Sequence, residues 1–135
     1  MKTAQQLWLR SMSVRPMVYV RESLTDTSSF AQWWQADTCT IKDAEGEPEP
    51  GRWFSVSSVD NDGRERRFSG QLLERTDGVL VFSWKGAVKR AVKVRIELEQ
   101  SGDETQIDVK ISGVKTRGEV RLLRREWKQI LRTLA

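Results

Sequence analysis

At 135 residues, with 38% hydrophobic and 31% charged positions, the chain has the size and balance of one globular domain built on one core. No apolar run nears the roughly 20 residues that span a bilayer; Met1 to Arg10 lacks the apolar stretch of a signal peptide, and the lone Cys39 excludes an internal disulfide, so a cytoplasmic protein is expected. The net charge of +4 comes from 23 basic and 19 acidic residues that are interspersed, which argues against nucleic acid as the partner.

Gln5 to Val14 reads as a first strand. Pro16 suits the first turn of a helix on which Met17, Val20 and Leu24 share a face, although the β-branched Val18 and Val20 pull toward strand. Ser28 and Ser29 can cap a second short helix through Trp34. Ala44 to Gly51, with Gly46, Pro48 and Pro50, is a loop. Strands follow over Arg52 to Val59, Arg66 to Arg75 and Val79 to Trp84, separated by Asp60-Asn61-Asp62-Gly63 and Thr76-Asp77-Gly78. Val92, Val94, Ile96 and Leu98 then alternate with Lys93, Arg95 and Glu97, the period of a strand buried on one face. After the turn Ser101-Gly102-Asp103-Glu104 the same rhythm returns in Ile107, Val109 and Ile111. Five strands from Arg52 to Ile111 make an antiparallel meander.

Residues 119 to 134 change period. Val120, Leu123, Trp127, Ile130, Leu131 and Leu134 form one helical stripe, with Gly118 and Glu119 at its start. A lone helix of this length is marginal in water, so the stripe must dock on the apolar face of the sheet. Arg117, Arg121, Arg124, Arg125, Lys128 and Arg132 gather on or beside this helix and read as its solvated face.

Catalytic chemistry has little to work with. There is no histidine, which removes the usual general base, the Ser-His-Asp arrangement and most metal sites. Cys39 has no histidine to activate it and reads as inert. No phosphate-binding glycine spacing occurs, and Glu45, Glu47 and Glu49 belong to a solvated loop. Asp60-Asn61-Asp62-Gly63 resembles the opening of a calcium loop, but Gly70 falls roughly where the bidentate glutamate is required. No catalytic residue, metal or cofactor is assigned. Tryptophan, by contrast, is abundant: Trp8, Trp33, Trp34, Trp53, Trp84 and Trp127, joined by Phe30, Phe54, Phe68 and Phe82. Such side chains fill a core or line an apolar pocket.

Several segments together resemble a known family. Leu24-Thr25-Asp26 followed by Phe30-Ala31-Gln32-Trp33-Trp34 is similar to the "L-T-D…W-W" segment of the activator of heat-shock protein 90 ATPase homologue-like proteins, which lie in the START-like (SRPBCC) superfamily. Pro50-Gly51-Arg52-Trp53, Asp60-Asn61-Asp62-Gly63, Gly70-Gln71-Leu72-Leu73-Glu74, Leu80-Val81-Phe82-Ser83-Trp84 and Glu126-Trp127-Lys128-Gln129-Ile130-Leu131 resemble later motifs of that family, in order. The resemblance implies one START-like domain over residues 1–135, α+β, with a helix-grip fold. A curved antiparallel sheet of about six to seven strands would wrap around a long C-terminal helix, with two short helices after strand one and often a hydrophobic cavity beneath the long helix. Glu126 departs from the glycine usual before the family's tryptophan, and the connection from Ile111 to Glu119 is short, which implies a smaller or more open cavity.

The expectation is a non-enzymatic module that binds a small hydrophobic ligand between sheet and helix. Trp34, Trp53, Phe68, Phe82, Trp84, Leu123 and Trp127 are its candidate walls. The family name implies an alternative, a protein-interaction module such as a chaperone ATPase regulator, with self-association as a variant. A third class is a cyclase- or hydrolase-like enzyme resting on Asp, Glu, Arg or Tyr19. Fold transfers between such relatives better than function does.

Overall fold

The computed structural model describes residues 5–25, 39–42, 53–59, 63, 65–86 and 88–134. Strand β1 is Gln5–Ser13 and helix α1 is Met17–Thr25. Strands β2 (Cys39–Lys42), β3 (Trp53–Val59), β4 (Glu65–Arg75), β5 (Val79–Lys85), β6 (Val92–Ser101) and β7 (Glu104–Val114) follow, and the chain closes with helix α2, Arg117–Leu134. All strands join one antiparallel sheet in the order β1-β7-β6-β5-β4-β3-β2. The five-strand meander anticipated from Arg52 onward thus forms the middle of the sheet. β1 extends it beside β7, and β2 extends it at the other edge. The short helix expected from Ser28 to Trp34 falls outside the described residues.

Alternation decides which face of the sheet is buried. Along β6, Val92, Val94, Ile96 and Leu98 are buried while the residues between them face out, and β7 repeats the pattern with Ile107, Val109 and Ile111. The β6–β7 hairpin turns at Gly102, whose φ of +63° suits a residue without a Cβ. Near the end of β7 the pairing with β1 slips: Leu7 faces Ile111, but Gln5 faces Val114. Gly113, at φ +85°, takes up the extra residue of this bulge, and Val114 is thereby returned to the core.

Helix α1 forms despite its β-branched residues because its ends and inner face are served from elsewhere. The Gln100 side chain accepts the Met17 amide at 2.8 Å, an acceptor for one of the orphan N–H groups of the first turn. Val20 and Leu24 are fully buried and Met17 packs beside them, the face expected from the sequence. The Arg21 guanidinium reaches the Asp77 carbonyl at 3.2 Å and tethers the helix to the β4–β5 turn.

Helix α2 is stopped at its start by a cap the sequence reading did not single out. Thr116 Oγ1 accepts the Glu119 amide at 3.1 Å, while the Glu119 carboxylate accepts the Lys115 amide at 2.8 Å. This reciprocal arrangement belongs to the capping-box type. Helical structure begins at Arg117, three residues before the first member of the apolar stripe, Val120, and Gly118 lies inside it. The stripe docks as expected: Leu123, Trp127, Ile130, Leu131 and Leu134 are buried in the core shared with the inner face of the sheet, and Val120 packs against its margin.

Candidate ligand site between the sheet and the last helix

Two tryptophans meet under α2. Trp84 is the last buried residue of β5, and alternation sends its ring inward together with Leu80 and Phe82. Trp127 lies in the third turn of α2, two turns into its buried stripe. Their ring centroids are 5.0 Å apart at an interplanar angle of 60°, within the range where aromatic pairs attract edge against face. Both side chains are essentially removed from solvent.

Their polar atoms are treated differently. Trp84 Nε1 donates to Glu126 Oε1 at 2.8 Å, so the half-buried carboxylate of the helix bonds the indole of the strand. Trp127 Nε1 is buried and has no hydrogen-bond partner among the described residues. A buried N–H is nearly always paired in folded proteins, so an orphan in this position is a donor without its acceptor.

Gly86, just after β5, makes the Glu126 contact possible. A Cβ at this position would come within 2.6 Å of Glu126 Oε2 and 2.9 Å of Trp84 Nε1. The carboxylate therefore occupies the space a side chain at residue 86 would fill. Beyond it, Arg90 fastens the loop to the helix start. Its Nη1 donates to the Gly113 carbonyl at 2.7 Å and its Nη2 to Glu119 Oε1 at 2.6 Å. The Lys115 amide, with Arg90 and the Thr116 amide adding to it, holds the Glu119 carboxyl below its ordinary pKa against the opposing effect of partial burial.

The model of the family described as Activator of Hsp90 ATPase homolog 1-like protein matches residues 17–135. The chain belongs to this family. No curated protein matches it. Among solved structures, the family member described here resembles CV1439 from Chromobacterium violaceum with a TM-score of 0.79 at 16% identity, covering 96% of this chain and 94% of that one. Protein NE0264 from Nitrosomonas europaea gives 0.69 at 21% identity, with 96% and 93% covered. DynU16, a protein of the dynemicin biosynthetic locus, gives 0.72 at 21% identity; 96% of this chain aligns but only 45% of DynU16 is spanned. These likenesses concern the fold, which is α+β and of the START-like, helix-grip kind.

Of the residues expected to line a cavity in this family member, Phe82, Trp84, Leu123 and Trp127 come together in the core beneath α2. Trp53 pairs with Gln71 and Phe68 with Val56 in the strand register. Trp34 lies outside the described residues. Residues that the pattern reading passed over matter here as well. Glu126 stood out only as a departure from glycine, and Gly86 was not singled out at all, yet the two are complementary. No described helix is long and apolar enough to cross a membrane.

Proposed function

We propose that the protein is a non-enzymatic START-like module that binds a small, largely apolar ligand between the sheet and α2. The observation that carries the reading is the buried, unpartnered indole N–H of Trp127, set against Trp84 at the centre of the sheet–helix contact. Such a donor favours a ligand with an apolar body and one hydrogen-bond acceptor, such as a carbonyl or ether oxygen. Leaving the donor unmatched costs about 1–3 kcal/mol, which an acceptor-bearing ligand would recover. The core that Trp127 shares with Phe82, Leu123 and Ile130 offers those side chains as apolar contact.

The test is a panel of lipids, aromatic ketones and polyketides, read by thermal shift and by quenching of tryptophan fluorescence. Acceptor-bearing compounds are expected to raise the melting temperature more than their hydrocarbon analogues. Trp127→Phe, which keeps a ring and removes the donor, is expected to erase that difference. If no compound shifts the melting temperature or quenches fluorescence, the reading fails.

A further inference from the structure

Helix α2 carries eight charged side chains, and they are sorted. Its two acids are both spoken for: Glu119 by Arg90 and the Lys115 amide, Glu126 by the Trp84 indole. Its cations, Arg117, Arg121, Arg124, Arg125, Lys128 and Arg132, are all exposed, and none has an ion-pair partner among the described residues. At about 100° per residue the six fall within an arc of about 100°, one continuous stripe along the helix.

The stripe works against the helix that bears it. Arg117/Arg121, Arg121/Arg125, Arg124/Lys128 and Lys128/Arg132 are like charges four residues apart, a spacing that destabilises a helix. Arg117 also sits in the first turn, at the positive end of the helix dipole. Two cations of the sheet do have acidic partners, Arg10 with Asp108 at 2.7 Å and Arg95 with Glu97 at 2.9 Å, while exposed cations such as Arg75, Lys85 and Lys93 stand singly and not in a row along one helix. A continuous positive stripe with no ion-pair partner among the described residues calls for an anionic partner from outside.

We infer that this face of α2 is a docking surface for an acidic segment of another protein that also carries aliphatic side chains. Five of the six cations are arginine, whose planar fork binds carboxylates with two hydrogen bonds at once. Leu122, 47% exposed, lies beside the stripe next to Arg121 and one turn from Arg125 and gives it an apolar margin. A phosphate backbone would make no use of that leucine. An anionic lipid surface held by charge alone would likewise make no use of the leucine, and the apolar stripe of α2 that could insert is buried against the sheet.

The experiment uses the whole chain and a labelled helical peptide with glutamates on one face and leucines beside them. Its binding is followed by fluorescence anisotropy next to duplex DNA and phosphatidylserine vesicles. The peptide is expected to bind most tightly and to weaken steeply as salt is raised. Arg121→Glu/Arg125→Glu/Lys128→Glu is expected to weaken it by at least about tenfold with the melting temperature held or raised. Should charge reversal impair folding, the triple glutamine variant is expected to lower affinity in the same direction. Leu122→Ser is expected to lower peptide affinity while leaving any DNA retention untouched. Tighter binding of DNA or vesicles, binding unaltered in the triple variants, or light scattering showing that the free chain already self-associates through this face would each overturn the inference.

Discussion

The two faces of the sheet hold polar contacts of opposite kinds. On the outer face Arg10 and Asp108 pair across β1 and β7, Arg95 and Glu97 pair along β6, and Lys110 lies 5.0 Å from the centre of the exposed Trp8 ring. Each group there can exchange its partner for water. On the inner face the Trp84 indole has a carboxylate in a space that only a glycine leaves open, and the Trp127 N–H has no hydrogen-bond partner among the described residues. Contacts at the surface adjust when one partner is lost; contacts under α2 depend on shape, and a small change there has no solvent to absorb it.

This contrast can be pressed hardest at Trp127. Trp127→Ala removes a fully buried ring from the centre of the sheet–helix contact and is expected to cost about 3–5 kcal/mol, read by urea denaturation. Gly86→Ala tests whether the Glu126 contact is as tight as its geometry. The added methyl must displace the carboxylate or the Trp84 ring, with an expected loss of about 1–3 kcal/mol that Glu126→Ala in the same chain should largely mask. A glycine-to-alanine change that stabilised the protein would break the comparison at this point.

Glu119 lies between the two extremes, partly exposed but held by backbone. Its carboxyl titrates below the ordinary range because the Lys115 amide bonds the ionised form. A depressed folded pKa contributes stability at pH values above the unfolded pKa, near about 4.3, and that contribution is lost as pH falls through the folded value. Glu119→Gln is therefore expected to be less stable than the parent at neutral pH, and the gap in melting temperature should close on acidification below about pH 4. A gap that is constant with pH would assign the effect to the cap geometry alone. The smallest effect is expected on the outer face: Arg10→Ala should leave the melting temperature within error, since its guanidinium is largely exposed.

Much of the fold could be read from the chain because a few segments carry unmixed signals. β6 alternates from Val92 to Leu98 and β7 from Thr105 to Ile111, and the stripe from Val120 to Leu134 has the helical period. α1 was harder: Val18 and Val20 favour strand locally, and the outcome rests on Gln100 and on burial of Val20 and Leu24, both supplied by tertiary structure. β2 was missed because four residues, Cys39 to Lys42, carry too short a pattern, and its pairing with Ser55 to Ser58 is what identifies it. At the candidate site, apolar burial of Phe82, Trp84, Leu123 and Trp127 follows from periodicity. The Glu126–Trp84 bond and the vacancy at Gly86 do not, because they join positions about forty residues apart whose relation only packing creates.

Arg90 is a clasp between distant parts of the chain, and its consequence is one of timing. It bonds the carbonyl of Gly113, 23 residues after it, and the carboxylate of Glu119, 29 residues after it, which also accepts the Lys115 amide. The segment after β5 and the first turn of α2 therefore open as one unit or stay shut as one. Deuterium taken up at the amides of Lys115 and Glu119 reports how often the loop holding Arg90 lets go, and so sets the clock for access to everything beneath the helix.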